Sequence, residues 1–266
     1  MSKLEIYCVT NKVIKNLELY DYKLCAVGKE NFPKNYIKCD YADNIFSKEE
    51  FYSELTFHYW FWKNQLDLAS DNWIGFCQKR RFWIKLNSRN NYINNFNFSD
   101  HFLSEPHETW KNYESIICEE INVNNIKKIK LIKKGYKNLF SDPLLLFDIR
   151  KQSIKLHFDI CHGYGNLDKA IDLFDNLEKE QFRKFVNSST SFNPHIMFIA
   201  KPKIINEWFE NLFNWLFKCE KIFDLNELKG YETKRLFAYL AERYLSFWFR
   251  NNTNFKTWPW RFVEID

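Results

Sequence analysis

With 45% hydrophobic and 19% aromatic residues among 266, the chain carries too much core-forming volume to be disordered, and six glycines and six prolines are too few for a collagen-like or linker-rich protein. A net charge of +5 suits a polyphosphate ligand, an anionic membrane surface or RNA without choosing among them. Seven cysteines, odd in number and never spaced C-x-x-C, indicate neither a zinc site nor a disulfide framework and predict reduced core thiols in a cytoplasmic protein. The N-terminus has no apolar signal core, and no stretch reaches the roughly 18 apolar residues of a membrane span, so any membrane contact is expected to be peripheral.

In chain order, Leu4 to Val9 is an apolar run ending at the polar Thr10-Asn11-Lys12, the pattern of a buried first strand and its loop. Tyr22 to Val27, closed by Gly28, predicts a second strand, and Asn72 to Cys77 a third. Between them Ser47 and Glu50 have capping-box spacing, and Phe51, Leu55, Tyr59 and Trp62 recur at helical spacing behind them. The order β, β, α, β with strands apolar on both faces predicts an α/β core. Ser115 to Cys118 reads as a further strand, whereas Ile126 to Tyr136 mixes lysine with Ile and Leu without a clean period. Asn166 begins a helix carrying Leu167, Ile171, Phe174 and Leu177, and Glu180 to Val186 is expected to form a second helical piece. Ile196 to Ala200 predicts a strand feeding a helix after Pro202, with Ile205, Trp208, Phe209, Leu212 and Leu216 on its stripe. A last helix is expected from about Thr233 to Phe249. The whole chain, residues 1–266, is expected to form one domain with a helix-rich C-terminal half.

Five segments carry residues able to do chemistry. Thr10-Asn11-Lys12 sits at the carboxyl end of the first strand, where open α/β sheets bind ligands, although the same tripeptide also suits a solvated loop. Gln78-Lys79-Arg80-Arg81 follows the third strand directly and is flanked by Phe82 and Trp83; Arg offers bidentate geometry to a diphosphate and Lys a point charge. Asp40 and Asp43 before the capped helix are spaced for turn chemistry, or for sharing Mg²⁺ or Mn²⁺ with a diphosphate. Glu54 and His58 lie one helical turn apart beside Tyr59, Trp60 and Trp62, a base or ligand pair with aromatic walls, or a buried polar pair. His157, Asp159, His162 and Asp168 gather titratable groups in a spacing that matches no standard metal set, and acceptor binding or general-base work suits them better. Lys127, Lys128, Lys130, Lys133, Lys134 and Lys137 form a cationic run of the kind that lies against anionic lipid, each near-surface cation contributing on the order of 1 kcal/mol. No Gly-rich phosphate loop is present.

Read together, Ile6 to Lys12, Asp43-Asn44-Ile45, Ser53-Glu54-Leu55-Thr56 with Tyr59-Trp60-Phe61-Trp62-Lys63-Asn64, and Ile74 to Phe82 follow an order that resembles a bacterial capsular polysaccharide and O-antigen family. That family was long described as a domain of unknown function and later linked to galactofuranosyl transfer. The likeness continues through His157 to Asp168, Asn193 to Ile199, Arg235 to Phe237 and Ala241 to Arg243, nearly the whole chain. Members commonly read His-Tyr-Arg-Arg where this chain has Gln78-Lys79-Arg80-Arg81.

The resemblance implies a GT-A-like α/β glycosyltransferase fold, with a Rossmann-like, nucleotide-sugar donor half at residues 1–120 and a helix-rich acceptor-side half at 121–266. It implies inverting transfer from a UDP-sugar donor to a hydroxyl of a glycan or lipid-linked glycan at the cytoplasmic face of the inner membrane. Glu54, Asp43 and His162 are then the candidate catalytic groups. Thr10, Lys12, Asn44, Thr56, Gln78, Arg80 and Arg81 would bind the donor, and His157, Asp168 and His195 the acceptor; the need for a divalent metal stays open. The basic, aromatic composition also admits a nucleic-acid-binding module, although no RRM, KH or zinc pattern accompanies it, and His157, Asp159 and His162 admit a metal-dependent hydrolase. No nucleic acid is expected as a partner under the transferase reading.

Overall fold

The computed structural model describes residues 2–14, 22–89, 93 and 98–264. Its strands are β1 (Leu4–Thr10), β2 (Tyr22–Ala26), β3 (Ile37–Lys38), β4 (Trp73–Gln78), β5 (Arg81–Trp83), β6 (Ser115–Cys118), β7 (Ile121–Asn122), β8 (Ser191–Phe192), β9 (Phe198–Ala200), β10 (Phe255–Trp258) and β11 (Trp260–Phe262). The main sheet runs β10-β6-β9-β4-β1-β2-β3, with β5 hydrogen-bonded to β4 and β11 to β5. β1 is parallel to both β2 and β4, and β3 is parallel to β2, which produces the Rossmann-like order 3-2-1-4. β9 is inserted antiparallel between β4 and β6.

The chain divides into two compact units, Met1–Glu119 with His195–Asn211 and Trp248–Asp266, and Glu120–Pro194 with Leu212–Phe247. The first holds the main sheet. Its strands are buried on both faces, as expected of parallel strands covered on each side. On one face Ile6, Cys8, Leu24 and Cys77 join Trp83, Trp110 and Trp258 in one cluster. On the other, the alternate residues Tyr7 and Phe76 meet Phe61 of the helix Leu55–Asn64, with ring centroids 4.8 and 5.3 Å from it. Phe76 also meets Phe209 of the helix Pro202–Glu220 at 5.7 Å.

The second unit is mainly helical, with β7 and β8 paired antiparallel in it. Phe174, Phe182, Trp215, Tyr244 and Phe247 form its aromatic core, with centroids 4.8 to 5.0 Å apart in the pairs 174–215, 182–247 and 174–244. Trp215 Nε1 donates to Ala170 O at 2.8 Å and Tyr244 Oη to Glu178 at 2.6 Å, so both buried polar tips are satisfied. A smaller cluster of Leu131, Leu145, Leu156 and Ile160 underlies the segment from 126 to 151.

Several predicted elements change at their edges. The capped helix is two helices, Glu49–Tyr52 and Leu55–Asn64, because Ser53 takes φ 52°, ψ −128°. Ser53 N closes the first on Glu49 O, and Ser53 O starts the second by accepting Thr56 N at 3.1 Å. Nor does Ser47 with Glu50 cap the first helix: its cap residue is Lys48, which makes no side-chain cap, and upstream Asn44 Oδ1 receives Phe46 N at 3.0 Å. The helix from Asn166 stops at Ile171, leaving Phe174 and Leu177 outside, and Asp175 caps a new one, Asn176–Ser188, by accepting Glu178 N. The unassigned stretches 126–136 and 157–162 are helical, at Lys128–Lys134 and Ile154–His162.

Gly75 in β4 has a packing reason for its identity. A Cβ there would stand 2.9 Å from Ile199 Cγ1 and 3.3 Å from Ile6 Cγ1, on the two strands flanking it. Gly75→Ala is expected to lower stability by about 1–2 kcal/mol in denaturant unfolding, overpacking outweighing the entropy gained in the unfolded chain. An unchanged midpoint would show that the flanking isoleucines yield without cost.

Candidate functional site

The carboxyl ends of β1, β2 and β4 meet at one edge of the sheet, where parallel strands present ligand-binding loops. Val27 N donates to Thr10 O at 2.9 Å and Lys79 N to Val9 O at 3.0 Å, tying the three loops together. Thr10 Oγ1 is buried in its own turn, accepting Lys12 N at 3.1 Å and donating to Lys12 O at 2.6 Å, so it shapes the loop. Gly28, at φ 85°, adopts a left-handed conformation beside Asn11 and Glu49.

At this edge a polar cluster forms around Gln78. Its side-chain amide donates to the Glu54 carboxylate and, at 2.8 Å, to the backbone carbonyl of His195. Arg81 Nε donates to His195 Nε2 at 3.1 Å, which fixes the ring as the Nδ1–H tautomer. Trp260 stands edge-on to His195 at 4.8 Å, and the Arg81 guanidinium lies 5.7 Å from the Phe262 ring. Gln78 and Arg81 pair across the β4–β5 hairpin, whose turn holds Lys79 and Arg80. Val263 N anchors that turn on Arg80 O at 2.9 Å. Arg80 Nε is buried and has no hydrogen-bond partner among the described residues.

Backbone strain marks the same places. The non-glycine residues with positive φ among the described ones are Ala42, Ser53, Arg80, His195 and Ile196. Ala42 precedes Asp43, Ser53 precedes Glu54, Arg80 precedes Arg81, and His195 is itself in the cluster. Such conformations cost on the order of 1–3 kcal/mol each and persist where surrounding contacts over-determine them.

The other predicted donor-side residues have structural partners. Asp43 Oδ1 accepts Tyr59 Oη at 3.2 Å and Asp43 O accepts Asn64 Nδ2 at 2.8 Å. Asn44 is taken up in turn bonds to Ala42 O and Phe46 N. Thr56 is fully buried and its hydroxyl donates to Ser53 O at 2.8 Å, so it supports the helix start beneath Glu54 instead of facing a ligand. His58 packs edge-on to Phe76 at 4.7 Å and near Phe209 at 5.6 Å, and its burial lowers the imidazole pKa to about 3.

His157, His162 and Asp168 belong to the second unit. His162 Nδ1 donates to Glu232 O at 2.9 Å and its ring stacks on Tyr239 at 3.7 Å. Arg243, itself buried and lying 3.9 Å over the Phe192 ring, approaches His157 Nδ1 at 3.4 Å. Burial, with the Arg243 charge second, lowers both histidines to about 3. Such weak bases stay neutral at physiological pH, which suits binding better than proton abstraction for His162. Asp159 is committed to Lys155 (2.7 Å), Asn138 (2.8 Å) and Gly165 N (3.0 Å), and Lys155 also pairs with Asp168 at 2.9 Å. Among the described residues no three or more His, Cys, Asp or Glu side chains gather as a metal site.

Glu54, Gln78, Arg81 and His195, all candidates from the sequence, are thus brought together by hydrogen bonds, and Trp260 and Phe262 join them without a sequence motif that marks them. Their only local signal was the aromatic pair Trp258-Pro259-Trp260 near the C-terminus, and nothing local pairs them with residues 81–83.

A family model described as a domain of unknown function, DUF4422, matches residues 5–253, and the chain belongs to this family. Comparison with curated proteins returned no match. Among solved structures, the apo structure of the bifunctional glycosyltransferase WbbM is similar, at TM-score 0.72 and 19% identity over 99% of this chain. The chain spans 46% of that protein's length. At this identity the likeness defines the fold, a GT-A-like α/β architecture.

The histidines set a pH dependence of stability. Unfolded, each binds its proton below the ordinary value of about 6.5; folded, His58 resists protonation down to about 3, so stability falls as pH drops through that window. His58→Phe is expected to narrow the difference in melting temperature between about pH 7 and about pH 5. An identical difference in both proteins would mean that His58 is not held neutral.

Proposed function

We propose that the chain is a glycosyltransferase that moves a hexose, galactofuranose by family resemblance, from a UDP-sugar to a hydroxyl of a growing capsular or lipopolysaccharide glycan. The observation that carries this reading is the Gln78-centred cluster at the carboxyl edge of the sheet, with two arginines on a latched hairpin and a carboxylate beside them. The WbbM-like fold and the family membership support it.

In this reading Arg80 and Arg81 hold the leaving diphosphate. The buried Arg80 Nε is a donor suited to a phosphate oxygen, and such charge-assisted bonds are worth most where water is excluded. The acceptor oxygen attacks the anomeric carbon, the bond from that carbon to the phosphate oxygen breaks, and UDP departs with the electron pair. Glu54 takes the proton of the acceptor hydroxyl, oriented by Gln78, and inversion follows from the single displacement. Asp43 is the second candidate base; His195 is assigned to acceptor contacts, and Thr10, Lys12 and Asn44 to the donor-side loops. Asp40 and Asp43, both exposed, would share a Mg²⁺ or Mn²⁺ with the diphosphate and not cage it. A lipid-linked acceptor would set the enzyme to work at the cytoplasmic face of the inner membrane.

UDP and UDP-sugars are expected to raise the melting temperature, with and without Mg²⁺ or Mn²⁺ as separate arms. Arg80→Ala and Arg81→Ala should each weaken UDP binding about tenfold or more. Glu54→Gln should leave UDP affinity near wild type and reduce turnover by about 10²–10⁴. Unchanged UDP affinity in both arginine variants would remove their assignment, and salt-sensitive RNA binding with no nucleotide response would sink the transferase reading.

A further inference from the structure

The segment 127–151 concentrates the charge of the chain. Eight Lys or Arg and two Asp give it a net +6, against +5 for all 266 residues, so the remainder is close to neutral. It folds as the helices Lys128–Lys134 and Tyr136–Ser141 followed by the 3₁₀ turns Pro143–Leu146 and Ile149–Lys151. Leu131 and Leu145 turn inward on Leu156 and Ile160, with Leu139 and Leu146 packed against them.

The segment nevertheless keeps a second apolar set facing solvent. Phe140 is 86% exposed, Phe147 78% and Ile129 69%, and Ile149, Leu144 and Ile132 are each more than half exposed. Soluble surfaces scatter such residues singly; here they crowd into some twenty positions. The Tyr136 and Phe140 rings touch, with centroids 6.5 Å apart, and Lys128 lies over Phe147 at 5.8 Å, so exposed aromatic rings of the segment pair with one another and with a lysine. Lys127, Lys133 and Lys137 of the same segment are exposed. Among the described residues no helix is long and apolar enough to cross a membrane.

We propose that residues 127–151 form a membrane-interfacial surface that inserts Phe140, Phe147 and their aliphatic neighbours between the headgroups of an anionic bilayer while the lysines bind lipid phosphates. Short helices with an apolar outer face and cationic flanks satisfy both requirements of interfacial binding, buried apolar area and charge complementarity. Lysine stems reach along apolar surface and leave the ammonium groups at headgroup level. The surface lies within the second unit and does not depend on which reaction the first unit supports.

The test is co-sedimentation of the full chain with phosphatidylcholine vesicles, without or with phosphatidylglycerol. Binding is expected to the anionic vesicles and to weaken with salt. Phe140→Ser with Phe147→Ser should lower affinity about tenfold or more while the unfolding curve stays that of wild type, since both rings are exposed. Lys133→Ser with Lys137→Ser should lower it by about fivefold per charge and flatten the salt dependence. No binding to anionic vesicles, or binding indifferent to the phenylalanines, overturns the proposal. So does self-association abolished by the phenylalanine substitutions in a protein that ignores vesicles, which would assign the surface to a second copy. None of these readouts involves nucleotide or sugar.

Discussion

Pairing of β4 is the constraint on which the first unit rests. This strand bonds in parallel to β1, antiparallel to β9 and through a two-residue turn to β5, so it belongs to the N-terminal Rossmann-like order and to the inserted antiparallel strand at once. Gly75 lets β1 and β9 close in from both sides. Because the pairing with β1 fixes the register, Gln78 leaves the sheet opposite Val9, and its amide reaches Glu54 and His195, two residues that sequence keeps far apart. A slip of one residue would turn Gln78 to the other face and leave the carboxylate without its donor.

Around that amide the molecule tolerates conformations that it avoids elsewhere. Ser53 breaks a helix whose apolar spacing would otherwise run through it, and the break is what frees Glu54 from mid-helix geometry. Arg80 and His195 adopt left-handed backbone without being glycine, held by Val263, Gln78 and Arg81. The aromatic packing beneath, with Tyr7, Phe61 and Phe76 interlocked, supplies the rigidity that lets such strain persist.

Much of this was legible beforehand for a physical reason. Apolar runs bounded by polar or glycine residues located β1, β2, β4 and β6, and 3.6-residue spacing located the helix at 202–220 and, expected over about 233–249, the helix at 236–252, whose predicted start belongs instead to the short helix Tyr231–Lys234. Those signals are local. Ser53 was missed because hydrophobic spacing reports which face is buried and is blind to a single left-handed residue. The helix at 128–134 was missed because lysines occupy its outer face and isoleucines face outward among them, blurring the period. Pairings across long separations, β9 into the sheet and β11 onto β5, leave no local trace, and so Trp260 stayed out of view. Thr56, a donor-binding candidate through the resemblance alone, has its hydroxyl turned to Ser53 O by helix geometry.

The β5–β11 pairing also bears on how the molecule is assembled in time. Trp260 pairs with Trp83 and Phe262 with Arg81, partners separated by more than half of the chain. During synthesis the hairpin with Arg80 emerges well before residues 260–263, and until these follow its outer edge lacks its β11 partner and its turn lacks the Val263 anchor. Contacts of such sequence separation form late and slowly. The basic hairpin and the edge of the Gln78 cluster therefore mature late, together with β10 of the main sheet, and a chain lacking residues 260–263 would lose both the backbone anchor on Arg80 and the core residue Val263.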